Sequence, residues 1–125
     1  MDAGSSTALT VESVRLALGA TGMRQRVIAD NIANADSPDH IRMRVVFEQQ
    51  LSQALSAARM NGGVGGVGWL DGVQAEMEPD LTQGRVQLDE EVAQLSANSL
   101  RYQALSRGLS RYLSIASLIA SATRG

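Results

Sequence analysis

Residues 88–122 read LDEEVAQLSANSLRYQALSRGLSRYLSIASLIASA, a run with no proline and one glycine, Gly108. Leu88, Val92, Leu95, Tyr102, Leu109, Leu113, Ala116 and Ala120 recur at alternating steps of three and four, with Ser99 and Ser106 filling two places. That is the spacing of a heptad seam. Leu105, Tyr112, Ile115, Leu118 and Ile119 add an adjacent apolar face. Asp89, Glu90 and Glu91 open the run and arginines follow, an order that suits the helix dipole. The pattern predicts a helix over about 89–122, roughly 50 Å long. The rest of a 125-residue chain is too small to cover it.

A second helix is expected near the other end, over about 10–34. Leu9, Leu16, Ala20, Met23 and Val27 form one stripe, and Val11, Val14, Leu18, Ile28 and Ile32 form another. A helix apolar on two sides needs partners on two sides. Gly19 and Gly22 weaken it by about 1 kcal/mol each in isolation and permit close approach of another backbone. Pro38 ends it, because the residue before a proline avoids the α region. Asn34, Asp36, Ser37 and Asp39 supply turn chemistry. A third helix is expected over about 41–60, from the stripe Phe47, Leu51, Ala54, Leu55 and Ala58 and the i,i+4 pair Arg44–Glu48.

Between the helices, residues 61–72 read NGGVGGVGWLDG and hold half of the 12 glycines. This predicts a loop or irregular excursion. Pro79, Asp80 and Gly84 mark turns, with short strands conceivable at 73–77 and 85–88. The chain thus divides into an N-terminal helical segment (1–60), a Gly-rich, acidic middle (61–88) and a C-terminal helix (89–125). The expected fold is mainly α, an antiparallel or crossed coiled-coil-like hairpin of the terminal helices with the middle projecting from it.

Composition limits what such a fold can do alone. Hydrophobic residues make up 44%, but 17 are alanine and only Phe47, Trp69, Tyr102 and Tyr112 are aromatic. Burying a Leu or Ile stabilises by about 1.5–3 kcal/mol and an alanine methyl by much less. Contacts with other chains would supply what the monomer lacks. There is no cysteine, so disulfides and thiolate zinc sites are excluded. Net charge is −2, which disfavours nucleic acid. Residues 61–91 carry seven acids against Arg85, whereas 92–125 carry Arg101, Arg107, Arg111 and Arg124 with no acid. Such opposed charges either steer copies into register or form two solvated faces. No run is apolar enough to span a membrane, and the first residues lack the pattern of a cleaved signal peptide.

Catalytic motifs find no context. Residues 63–68 match G-x-G-x-x-G, but phosphate binding needs a strand before and a helix after. His40 is the single histidine, beside Asp36 and Asp39 in a turn. A general base needs an orienting partner and a nucleophile, so a solvated or locally bonded histidine is expected. Asp89, Glu90 and Glu91 read as capping and dipole residues rather than as carboxylates paired across a cleft. Asp71, Glu76, Glu78 and Asp80 do not match a calcium loop. No enzyme activity, cofactor or metal is expected. Asn31 and Asn34 are poor helix-interior residues; their amides are expected to bond the turn at Pro38 or a neighbouring chain.

The stretch from Arg24 to Pro38, RQRVIADNIANADSP, resembles the N-terminal signature of bacterial flagellar rod and hook proteins. Val86–Val92 and Asn98–Tyr102 narrow the resemblance to proximal rod proteins of the FlgB type. It covers roughly residues 10–60 and 84–122. The chain departs from the family pattern at Asp39-His40, where Gly-Tyr is usual, and at residues 82–85. The resemblance implies a structural subunit, exported without a cleaved signal peptide through the flagellar type III apparatus. It would assemble helically in the periplasmic rod, transmitting torque and forming a channel. Implied neighbours are other copies, the rod protein FlgC, the rod-base adaptor FliE and the export gate. Another short rod protein (FlgC type) or a helical export chaperone or adaptor is the alternative. Expected interface residues are Leu16, Ala20, Met23, Val27, Asn31, Ile32, Asn34, Leu95, Tyr102, Leu105, Leu109, Tyr112, Leu113 and Ile115.

Overall fold

A computed structural model describes residues 3–63 and 66–124. The elements in chain order are α1 (Ala3–Ala33), β1 (Met43–Val46), α2 (Glu48–Met60), a 3-10 turn (Gly68–Leu70), β2 (Glu76–Pro79) and α3 (Leu88–Arg124). The fold is mainly helical, with long terminal helices and a short middle that carries a two-stranded sheet.

α1 and α3 lie antiparallel, because Thr7 meets Tyr112 while Asn31 meets Glu91. At 1.5 Å per residue they are about 46 and 55 Å long. α1 starts earlier and α3 runs two residues further than the sequence pattern indicates. The glycines of α1 are not required by close packing within the chain. A methyl at Gly19 would meet nothing within 4 Å, and one at Gly22 would make ordinary contact with Tyr102 and Arg26.

The expected helix over 41–60 is replaced in its first third by a strand. Met43, Val45 and Phe47 alternate with Arg44 and Val46, and Val45 and Phe47 are buried. β-branched and aromatic side chains with period two favour a pleated strand. β1 pairs antiparallel with β2 in the register Met43↔Pro79, Arg44↔Glu78, Val45↔Met77 and Val46↔Glu76. Arg44 and Glu78 form an exposed ion pair straight across this ladder, worth no more than about 1 kcal/mol. The helical stripe read from Leu51 onward holds, and Glu48 in the first turn favours the start there. α2 ends at Met60 and the chain leaves it through Gly62, whose φ of 70° suits glycine, while the Gly63 N–H bonds the Ala58 carbonyl at 2.8 Å.

The middle segment does not project. Leu70 and Val73 are buried, and Val73 joins Ala20 and Phe47 in a core ringed by Leu16, Ala17, Leu51, Ala54 and Ala75. The strand expected at 73–77 falls at 76–79, and the strand expected at 85–88 does not form, Leu88 instead opening α3. The G-x-G-x-x-G stretch includes Val64 and Gly65, which lie outside the described residues; a three-residue 3-10 turn rather than a helix follows it.

Only a few large side chains fill this core, so each weighs heavily. Phe47→Ala should lower unfolding free energy by about 3–5 kcal/mol, a large part of what a domain this size possesses. Urea denaturation followed by circular dichroism checks this, and a loss below about 1 kcal/mol would contradict the core described.

Candidate assembly surface

The Pro38 turn carries the chain off α1 and delivers Arg42 to the interior. The Arg42 N–H donates to the Gly84 carbonyl at 2.7 Å, and its carbonyl accepts from Asp80 N–H at 2.8 Å. The guanidinium then bonds three side chains. Nε donates to Glu91, Nη1 to Asp80 Oδ2 at 2.8 Å and Nη2 to Gln94 Oε1 at 2.9 Å. Arg42, Asp80 and Glu91 are all buried, Glu91 completely. Burial opposes the charge on Arg42, but the bonds and charges of Glu91 and Asp80 outweigh it and raise the arginine above its ordinary value.

Asn31 extends this network into α1. Its amide brackets the Met43 backbone, donating to the carbonyl at 2.9 Å and accepting from the N–H at 3.0 Å. His40 Nε2 lies 3.2 Å from Asn31 Oδ1. That oxygen can only accept, so the histidine donates. A longer bond of 3.4 Å runs from Asn31 Nδ2 to Glu91. Asn34 behaves differently, its amide bonding the Asp30 carbonyl of its own helix at 2.9 Å. Of the two asparagines, only Asn31 bonds the segment beyond Pro38.

Asp80 closes the far side. Its Oδ1 accepts from the Thr82 hydroxyl at 2.6 Å, Thr82 N–H at 3.1 Å and Gln83 N–H at 3.2 Å. These bonds, the Thr82 hydroxyl first and Arg42 last, hold its carboxyl down to about 2.

Two polar residues set the rotation of α3 against α1. Glu91 and Asn98 occupy buried seam positions, and Asn98 Nδ2 donates to the Thr21 carbonyl and to Gln25 Oε1, both at 2.8 Å. Leu95, Leu105, Leu109, Tyr112 and Ala116 are half-buried in line with them. Of the seam read from the sequence, Leu95, Ser99, Ser106, Leu109 and Ala116 lie on this half-buried line, and the other five positions do not. Leu88, Val92 and Leu113 are 51%, 48% and 45% exposed. Apolar periodicity selected them, whereas partners far along the chain allow a glutamate and an asparagine to be buried instead. Glu91 is therefore an interior ion-pair residue, not a dipole residue.

The expected interface residues fall into three groups. Ala20, Val27 and Asn31 are buried within the chain and are not free for a neighbour. Leu16, Met23, Ile32, Asn34, Leu95, Leu105, Leu109 and Tyr112 are half-buried. Tyr102, Leu113 and Ile115 are exposed, together with Leu100, Leu118 and Ile119. Near the α1 N-terminus, Thr7, Ala8 and Val11 face Tyr112, Ile115 and Ile119 across an open, mostly apolar groove of about 760 Å³. Arg42, Asp80 and Asn98 were missed as positioning residues, since no local signal marks a partner dozens of positions away.

Over 47 residues this chain is 43% identical to the flagellar basal body rod protein FlgB of Borrelia hermsii. The matched stretch is 38% of this chain and spans about a third of that relative, 35% of its length. No family model matches the chain. Over that stretch, the likeness points to a flagellar basal body rod protein.

Two outcomes follow from the Arg42 network. Arg42→Met leaves Glu91 buried with no counter-charge and should cost about 3–5 kcal/mol in urea unfolding. Asp80 titrates lower in the folded chain than the ordinary 3.8. The unfolded state therefore binds the extra proton first, and stability falls as pH drops from about 3.8 toward 2. Asp80→Asn should flatten that limb of the stability–pH curve, and an unchanged slope would contradict the assignment.

Proposed function

We propose that this chain is a structural subunit of the proximal rod of the bacterial flagellar basal body, of the FlgB type. It assembles helically with other copies and with the neighbouring rod protein FlgC, above the adaptor FliE and the export gate. In the periplasmic rod it helps form the export channel and transmits torque.

The observation that carries this reading is the mismatch between α3 and the rest of the fold. Leu113, Ile115, Leu118 and Ile119 stay 45–71% exposed along the C-terminal half of the helix. A chain with so few buried aromatics and so many bare aliphatics on one helix gains by burying them against other subunits. The flagellar signature sits where it has a physical task. Its Asn31 is the residue that pins the Pro38 turn to α1. The likeness to FlgB supports the same reading.

Deleting the gene in the organism that encodes it should abolish swimming, and a tagged copy should fractionate with purified basal bodies. Ile115→Asp with Ile119→Asp, both on exposed positions, should retain helical content but fail to restore motility. Normal swimming of the deletion strain, or absence of the tagged chain from basal bodies, would overturn the reading.

A further inference from the structure

A polar notch of about 420 Å³ opens between α1 and α3. Gly22, Gln25 and Arg26 line it from α1, and Ser99, Tyr102 and Gln103 line it from α3. Gly22 keeps it open. A methyl there would stand 3.9 Å from Arg26 Nη1 and 4.0 Å from a Tyr102 ring carbon, so alanine would fit without strain. Alanine is also the better helix former. The weaker helix former leaves open space beside a guanidinium.

The notch is rich in free donors. Gln25 Oε1 accepts from the buried Asn98 amide at 2.8 Å. That bond holds the oxygen inward and leaves the Gln25 NH2 group without a partner among the described residues. Asn98 is 3% exposed and also tied to the Thr21 carbonyl at 2.8 Å, so Gln25 is fixed from below. Arg26 is exposed and makes no ion pair among the described residues. Its guanidinium offers five donors and no acceptor. Among the described residues no acid lines the notch. Asp30, one turn beyond Arg26, lines a neighbouring depression with Met23 and Met77, and its carboxylate accepts from Asn34. Glu48 is taken by Arg24, and α3 has no acid after Glu91. A planar guanidinium beside a fixed amide matches the two oxygens of a carboxylate.

We infer that this notch receives a glutamate or aspartate carboxylate borne by a helix of a neighbouring subunit. This deepens the rod reading and rests on it. The carboxylate bonds Arg26 and the Gln25 amide, and the helix that carries it crosses α1 over Gly22 and Gly19. Gly19 is the reason for a helix rather than a small molecule. It is exposed, three residues from Gly22 on the same flank, and a methyl on it would meet nothing within 4 Å. From Gly19 to Arg26 the strip runs about 10 Å, room for one crossing helix about 10–12 Å wide. Glycine lets the two backbones approach closely there.

Glutarate serves as the carboxylate probe and glutaramide as its neutral control. Added to the isotope-labelled full-length chain, glutarate should shift the amide resonances of Gly22, Gln25 and Arg26 saturably, and glutaramide should not. Arg26→Gln should weaken glutarate binding several-fold. Arg59→Gln, in the exposed last turn of α2, should leave it unchanged. Gly22→Leu should weaken it while helical content is retained. Shifts no larger than those from glutaramide, or undiminished in Arg26→Gln, would overturn the site. Benzoylphenylalanine in place of Gln103 in the tagged chain tests the source. Irradiated in purified basal bodies, it should join to a helical segment with a Glu or Asp within one turn of the attachment point. Attachment to an acid-free segment, or none although the tagged chain is present, would overturn the docked helix even if glutarate binds. Absence of the tagged chain from basal bodies removes the rod reading, while the glutarate titration still decides the notch.

Discussion

The fold depends on a single buried guanidinium. Arg42 reaches Glu91 and Gln94 on α3 and Asp80 beyond β2, while its own backbone is bonded to Gly84 and Asp80. Without it, two carboxylates would sit in the interior unpaired, which is far more costly than replacing the whole set with apolar groups. An apolar cluster in the same place would hold the segments together but would tolerate sliding. A planar group with fixed donors does not. The rotation of α3 against α1, and hence which aliphatics face outward, follows from that geometry.

Asn31 plays the complementary part. A side-chain amide that both donates to and accepts from one backbone residue imitates a strand neighbour, so the start of β1 is held by α1 as well as by β2. This explains why a buried asparagine is tolerated in the last turn of α1, where its amide could otherwise compete with the helical bonds. The turn at Pro38 is closed by the bond from His40 N–H to the Ser37 carbonyl at 3.2 Å, and the His40 ring, bonded to Asn31 Oδ1, belongs to the same fixing set.

The parts of the structure legible in the sequence were those governed by local rules. α3 was visible from its length without proline and its apolar recurrence, α1 from its paired stripes, and the end of α1 from the turn at Pro38. The strand Met43–Val46 was hidden because the stripe beginning at Phe47 extends smoothly backward in helical register, while the competing period-two pattern is only a few residues long. The seam of α3 was legible only in part, through Leu95, Leu109 and Ala116, for a different reason. Glu91 and Asn98 look like surface residues until the partners at positions 42 and 21 are known, and sequence spacing carries no such information. Asp80 was read as a turn residue, which it is; its second oxygen, engaged with Arg42, had no local signature.

The lone indole of the chain occupies an informative place. Trp69 lies in the 3-10 turn just before buried Leu70, and its Nε1 is enclosed without a bonding partner. No other tryptophan contributes emission. Its fluorescence therefore reports whether the glycine-rich excursion has folded back onto the small core, separately from the helical signal of the two long terminal segments. Docking of the middle and pairing of the helices become two optically distinct events in the same unlabelled molecule.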